Sequence, residues 1–175
     1  LRWLRVQTVE EGNIEFEARW DGSESGVVEF PSGARVRGHP LRNFKEMEIF
    51  PDLAVVMSGS PPRLDIPSDV RWIQWPDFWL PIHKDEAWSV LQEARSKALF
   101  SRVDVSCSGG VGRTGTALAC IAVLDGIPSS DAVQFVRDRF NRRAVETAGS
   151  DGRQAFSRII KVLYFFDTMI WVEMV

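Results

Sequence analysis

The chain contains 175 residues, of which 45% are hydrophobic, and it carries a formal net charge of −3 at pH 7. This length corresponds to about one domain of roughly 150 residues with a sizeable core, so we expect a single domain over residues 1–175. The negative charge excludes a broadly basic nucleic-acid-binding protein. Two cysteines and two histidines exclude a disulfide scaffold and a zinc finger.

The ends of the chain predict neither export nor membrane insertion. The first residues, LRWLRVQ, hold no apolar run of signal-peptide length. Residues 162–175 are apolar but include Asp167 and Glu173, and a bilayer span takes about 20 apolar residues. We therefore expect an amphipathic C-terminal helix packed on the protein, no membrane span and a cytoplasmic location.

The first forty residues favour β structure. Apolar residues alternate with polar ones, as in a half-buried strand, at Ile14, Phe16, Ala18 and Trp20. Residues 27–30 and 34–37 flank a Pro-Ser-Gly turn, which predicts a β-hairpin. The next expected feature is a basic loop, either a solvated turn or a rim that meets an anionic substrate. Its residues are Arg35, Arg37, His39 and Arg42.

Beyond residue 50, short buried strands alternate with helices. Strands are predicted at residues 53–57, 70–74 and 103–105. Helices are predicted at residues 85–100, at 114–124, from a serine cap at Ser129 or Ser130, and from about residue 152. The alternation predicts an α/β fold, with a central, largely parallel sheet flanked by helices and an antiparallel N-terminal β extension.

A glycine-rich loop separates the strand near residue 105 from the helix at 114. Gly110, Gly112 and Gly115 match a dinucleotide-binding fingerprint, but that motif needs an acidic residue after the next strand, and Asp131 opens a predicted helix instead. A nucleoside-triphosphate loop is excluded because no Gly-Lys-Ser/Thr is present. The third interpretation uses Cys107 and the arginine that follows it in the loop.

A glycine-rich loop at a helix N-terminus directs backbone N–H groups inward and can hold a tetrahedral anion. Arg113 can grip two phosphate oxygens, and this positive field favours the thiolate form of Cys107. A thiolate beneath a bound phosphate is placed for attack on phosphorus, so we expect Cys107 to be the nucleophile. Cys120 lies in an apolar helix and is predicted to be a core residue.

Cleavage of a phosphate ester also needs an acid for the leaving oxygen. Asp77 follows a predicted strand, in a proline-bounded segment rich in aromatic residues. The segment is Trp75-Pro76-Asp77-Phe78-Trp79-Leu80-Pro81. Such a loop can close over a site and exclude water, which makes Asp77 the leading candidate for the acid.

Two motifs carry a family resemblance. Cys107-x5-Arg113-Thr114, followed by Gly115-Thr116, resembles the signature of the cysteine-dependent protein-tyrosine phosphatase superfamily. Trp75-Pro76-Asp77 resembles the mobile acid loop of the tyrosine phosphatases, in the expected order along the chain. The size and pattern are similar to those of compact bacterial or dual-specificity members, which implies their fold and a single phosphatase domain.

The resemblance implies a role for each motif residue. Cys107 forms a phosphocysteine, Arg113 binds substrate and transition state, and Asp77 serves as acid and then as base. Thr114 hydrogen-bonds the sulfur, and Gln154 corresponds loosely to a glutamine that positions water. Backbone amides hold the phosphate oxygens at Ser108, Gly109, Gly110, Val111, Gly112 and Arg113. Neither a metal nor a cofactor is implied.

Ser106 departs from the family pattern, which has a histidine directly before the nucleophile. That histidine helps to set the ionisation of the nucleophile, and a serine hydroxyl can replace some of its hydrogen bonding but not its aromatic packing; we expect activity because the loop amides and Arg113 remain. The aromatic substrate loop of the family is not identifiable, because the only tyrosine, Tyr164, lies in the last predicted helix. Phe78 and Trp79, or the basic loop, are the candidates to line the mouth of the site instead.

The resulting prediction is hydrolysis of phosphotyrosine in a phosphorylated protein, with dual specificity left open, and a peroxide-sensitive Cys107. One alternative is a phosphate-recognition module without turnover, which Ser106 would permit. The other is a phosphatase of a non-protein substrate such as a phosphoinositide. The uncharged residues 108–112 argue against a polyanionic head group.

Overall fold

The computed structural model describes residues 19–77 and 79–145. Its strands and helices in chain order are β1 (Val27–Glu29), β2 (Arg35–Pro40), a 3₁₀ helix (Leu41–Glu46), β3 (Leu53–Ser58), β4 (Asp69–Gln74), α1 (Lys84–Lys97), β5 (Val103–Cys107), α2 (Gly112–Leu124) and α3 (Ser129–Arg139).

The five strands form one sheet in the order β1-β2-β5-β3-β4. β1 pairs with β2 in antiparallel fashion, and the other neighbours are parallel. The fold predicted from sequence, a largely parallel sheet with an antiparallel N-terminal addition, is thus confirmed. Because β5 is central, its carboxyl end lies in the middle of the edge where all the parallel strands end, the usual place for a site in such sheets.

One face of the sheet packs on the helices. Val55 of β3 and Val105 of β5 are paired in register and fully buried, and they share a core with Leu91 of α1 and Leu118 of α2. Every residue of β5 is buried, because the strand is central and both faces of the sheet are covered. The central strand is thereby held firmly just before the glycine-rich loop.

The opposite face has a smaller apolar cluster. Ala54 and Val56 of β3 pack there against Phe44 of the 3₁₀ helix, with partly buried Leu64 and Ile66 at the margin. This face also carries the polar residues of β2 and β5, because side chains of a strand alternate between faces.

Two local predictions were wrong. The predicted basic loop is not a loop: His39 belongs to strand β2, on one face with Arg35 and Arg37 of the predicted hairpin strand 34–37, and Arg42 lies in the 3₁₀ helix. The alternation with small or apolar residues has the period of a strand, but the number of charges obscured it. The N-cap of α3 is Pro128 without a side-chain cap, and Ser130 instead donates a hydrogen bond to Asp131.

Several predictions concern residues outside the described part of the chain: the strand alternation before Trp20, Phe78, Gln154, Tyr164 and the C-terminal helix. Trp20 itself is buried and its indole Nε1 donates to the Val103 carbonyl, 3.2 Å away. Among the described residues, no helix has the length and hydropathy needed to cross a membrane.

Candidate active site

Cys107 is the last residue of the central strand, and its loop leads directly into α2. The residue is only 2% exposed, whereas Ser108 and Gly109, which follow it, are exposed. The sulfur therefore lies below the rim of the loop. The strand–loop–helix context that was predicted for this cysteine is the one observed.

The sulfur has a hydrogen-bond donor beside it. The hydroxyl of Thr114, in the first turn of α2, donates to Cys107 Sγ over 3.2 Å, and Thr114 is fully buried. A hydrogen bond to a thiolate stabilises its negative charge. The structure thus places these two residues together as the resemblance implied.

Gly110 determines how the loop approaches the sheet. Its φ is +68°, in the left-handed region that favours glycine. A Cβ at this position would lie 2.3 Å from the backbone nitrogen of Pro40, at the end of β2. Its N–H donates to the Cys107 carbonyl over 3.2 Å and closes a turn. The loop is therefore seated directly on the His39–Pro40 peptide.

Arg113 joins the loop to the segment after β4. Its side chain is only 10% exposed. Nη1 donates to the Trp75 carbonyl over 2.9 Å, and Nη2 lies 3.4 Å from Ser108 Oγ and 3.5 Å from Asp77 Oδ1. The backbone contact with Trp75 had no signal in the sequence, because a carbonyl is present at every position of the chain.

The segment around Asp77 is held in place by the buried side chain of Trp75. Trp75 is 2% exposed, and its indole Nε1 donates to the Trp79 carbonyl over 2.6 Å. The Ile82 N–H donates to the Gln74 carbonyl over 2.9 Å and closes the base of the loop. Buried Trp75 anchors the loop, while the Asp77 side chain is 62% exposed and faces Arg113.

The second cysteine has a different environment. Cys120 is fully buried in α2, and burial raises the pKa of its thiol far above the ordinary value. The prediction that Cys120 is a core residue is confirmed. Within the described part of the chain, no group of three or more His, Cys, Asp or Glu side chains is arranged to hold a metal ion.

Sequence and structure comparisons agree with this geometry. The chain is 53% identical over 45 residues to the uncharacterized protein MJ0215 of Methanocaldococcus jannaschii, a match that spans only 26% of the chain and 27% of that relative. The crystal structure of Tk-PTP in the active form is similar with a TM-score of 0.58 and 21% identity, covering 82% of this chain and 97% of that one.

The crystal structure of human DUSP28 is similar at a TM-score of 0.58 and 12% identity, covering 84% of this chain and 99% of that one. Likeness at such identities shows a shared compact fold. The family profile of the protein-tyrosine phosphatases matches residues 7–144, which includes the cysteine loop and the acid loop. The chain therefore belongs to the protein-tyrosine phosphatase family.

Proposed function

We propose that this phosphatase hydrolyses phosphotyrosine in proteins through a phosphocysteine intermediate, with Asp77 as the acid and base. The observation that carries the proposal is the position of Arg113, whose guanidinium contacts Ser108 of the nucleophile loop and faces Asp77 of the acid loop. Arg113 thus lies between the loop of the proposed nucleophile, Cys107, and the loop of the proposed acid, Asp77, at one edge of the sheet.

In the first step the Cys107 thiolate attacks phosphorus in line with the ester oxygen. A sulfur–phosphorus bond forms as the phosphorus–oxygen bond breaks, and Asp77 gives its proton to the leaving oxygen. Arg113 and the backbone amides of Ser108, Gly109, Gly110, Val111 and Gly112 neutralise the charge on the other phosphate oxygens.

In the second step water attacks the phosphocysteine and gives a proton to the Asp77 carboxylate. The sulfur–phosphorus bond breaks, inorganic phosphate leaves, and the electron pair returns to Cys107 as thiolate. The Thr114 hydroxyl, 3.2 Å from the sulfur, stabilises that thiolate as it departs. Gln154 remains the predicted water-positioning residue, and it lies outside the described residues.

Two observations support an aryl phosphate on a protein as substrate. The buried Cys107 lies below an exposed rim, and a phenyl ring carries its phosphate further from the peptide backbone than a serine side chain does. Residues 108–112 carry no charge, whereas a phosphoinositide head group would present several phosphates to the loop. The single-domain organisation over residues 1–175, the cytoplasmic location and the peroxide sensitivity of Cys107 remain predictions.

The proposal is tested with an aryl phosphate such as p-nitrophenyl phosphate. Wild type and Cys120→Ala should hydrolyse it, and Cys107→Ser should not, since it lacks the nucleophilic sulfur. Acid quenching during turnover should trap a phosphoryl group on the peptide that contains Cys107. Equal rates for wild type and Cys107→Ser would overturn the proposal.

A substrate panel separates the alternatives. Phosphotyrosine peptides should give a higher kcat/KM than phosphoserine or phosphothreonine peptides and phosphoinositide vesicles. Tight binding of phosphopeptides by wild type without release of phosphate over hours would indicate a recognition module. Preference for the vesicles would indicate a lipid phosphatase.

A further inference from the structure

A buried ionic cluster lies on the face of the sheet opposite the helices. Asp104 of β5 is fully buried and accepts a two-pronged contact from Arg37 of β2, with Nε 3.1 Å from Oδ1 and Nη2 2.8 Å from Oδ2. His39 Nε2 lies 3.0 Å from the same Oδ2, and His39 is 6% exposed. The mechanism proposed above uses none of these three residues.

Each ring nitrogen of His39 faces an oxygen acceptor. Its Nδ1 lies 2.9 Å from the Pro40 carbonyl, which can only accept a hydrogen bond, so Nδ1 carries a hydrogen. Asp104 accepts two hydrogen bonds from Arg37, one on each oxygen, and a carboxylate only accepts, so Nε2 carries a hydrogen as well. The ring that satisfies both contacts is the imidazolium.

Three further charged residues, Glu24, Arg42 and Glu46, lie around this cluster. Arg37 lies 3.8 Å from Glu24, and Arg42 and Glu46 share with His39 the lining of an open groove. Arg37 is therefore shared between buried Asp104 and Glu24 at the rim, and the imidazolium is the cation that faces Asp104 from β2 in addition to it.

The cluster lies one register position before the nucleophile, on the face of the sheet opposite the Cys107 side chain. His39 is the register partner of Ser106, and Pro40 is the partner of Cys107, on strands about 4.8 Å apart. Ser106 occupies the position where the family pattern has histidine, and its buried Oγ has no hydrogen-bond partner among the described residues. An imidazole is therefore present beside this position, on the neighbouring strand. Gly110 packs on the His39–Pro40 peptide, and the carbonyl that His39 Nδ1 contacts is that of Pro40 itself, one peptide further on.

We propose that His39 is a positioning residue for the reaction of Cys107: as an imidazolium held by Asp104, it holds the carbonyl of Pro40, the residue on which Gly110 packs, and favours the thiolate. In this role it replaces, from β2, the histidine that is absent at position 106. The inference rests on the proposed function for its catalytic consequence, but its electrostatic part is measurable without turnover.

The test uses two variants that each keep one contact. His39→Gln places an amide N–H near the position of Nε2, and His39→Asn places one near the position of Nδ1, and both remove the charge. His83→Gln is the matched control, because His83 is an exposed residue at the start of α1. The readouts are kcat/KM for p-nitrophenyl phosphate and the rate of Cys107 alkylation by iodoacetamide between pH 5 and 9, with the alkylated peptide identified by mass spectrometry.

We expect both His39 variants to be alkylated roughly ten-fold more slowly at pH 6, with the alkylation profile displaced by about one pH unit towards higher pH. Their kcat/KM at pH 6 should fall by a similar factor, and His83→Gln should match wild type. A merely structural role would lower the melting temperature without displacing the alkylation profile. Unchanged profiles in both variants overturn the proposal.

If the His39 variants do not fold, a measurement on the wild-type protein tests the proposal instead. The imidazole ¹⁵N chemical shifts of His39 at pH 7 should show both ring nitrogens protonated, and a neutral tautomer would overturn the proposal. If wild type does not hydrolyse the aryl phosphate, the proposed function fails, while alkylation and the ¹⁵N shifts still decide the state of His39.

Discussion

Replacing Gly110 with alanine should disable the nucleophile loop while leaving the fold in place. The added Cβ would lie 2.3 Å from the Pro40 nitrogen and 2.6 Å from Pro40 Cδ, and contacts below 3.0 Å are essentially never observed. Because carbon contacts settle at about 3.5–4.0 Å, the loop must move by about 1 Å or more. The left-handed backbone costs alanine a further ~1–2 kcal/mol.

A displacement of about 1 Å in a catalytic group costs on the order of 100-fold in rate, so we expect kcat/KM of Gly110→Ala to fall by about that factor. Gly126→Ala is the matched control. Gly126 has φ +95° between α2 and α3, and a Cβ there meets nothing within 4 Å. It therefore carries the same backbone penalty without the clash and away from the site.

The assay compares kcat/KM for p-nitrophenyl phosphate and urea unfolding for the two variants and wild type. Both variants should lose stability from the backbone penalty, but only Gly110→Ala should lose most of its activity. Activity of Gly110→Ala within about three-fold of Gly126→Ala would refute the reasoning, because the clash with Pro40 would then have no effect on the geometry of the loop.

Three further changes have defined outcomes. Asp77→Ala should lower kcat by about 10²–10⁴-fold with little change in KM, because the acid acts in the transition state, as steady-state kinetics will show. Thr114→Val should slow phosphocysteine hydrolysis more than its formation, since it loses the hydrogen bond to the sulfur, and burst kinetics separate the two steps. Burial opposes ionisation of Glu93, but hydrogen bonds from Lys97 and Arg71 hold its pKa below the ordinary value. Glu93→Gln should therefore be less stable than wild type at pH 7, and the difference should shrink in urea unfolding as the pH falls below about 4.5.

Each of these predictions has an outcome that contradicts it. An Asp77→Ala variant that raises KM and keeps kcat would indicate a role in binding only. A Thr114→Val variant with an unchanged burst amplitude would show that the Thr114 hydroxyl does not act in phosphocysteine hydrolysis. A stability difference for Glu93→Gln that persists at pH 3 would mean that packing, rather than the ionised carboxylate, supports this position.

The two cysteines illustrate why the site could be predicted from the sequence. Cys107 was distinguished from Cys120 by its neighbours alone: a strand before it, glycines and an arginine after it, and a helix beyond. These signals are local, since a loop that curls around an anion needs its glycines, donors and helix start within one short segment. The structure places Thr114 and Arg113 beside that loop accordingly.

Long-range partners had no comparable signal. Arg113 donates to the carbonyl of Trp75, 38 residues away along the chain, and no side chain marks such an acceptor. The tripeptide Trp75-Pro76-Asp77 marks Asp77 as the candidate acid. The distance of 3.5 Å between Asp77 Oδ1 and Arg113 Nη2, however, depends on where β4 and β5 end in the sheet. The strand order decides which loops meet, and the sequence does not contain that order explicitly.

The amino-acid sequence by itself determined the alternation of strands and helices, the hairpin and the nucleophile loop, because hydrophobic period and turn residues act over a few positions. Only the tertiary structure decided the role of β2. The sequence predicts a basic loop at His39, either a solvated turn or a rim for an anionic substrate, yet the side chains of His39 and Arg37 are largely buried on a strand. Their partner, Asp104, is more than sixty residues away, and buried charges persist only where such a partner is supplied across the sheet.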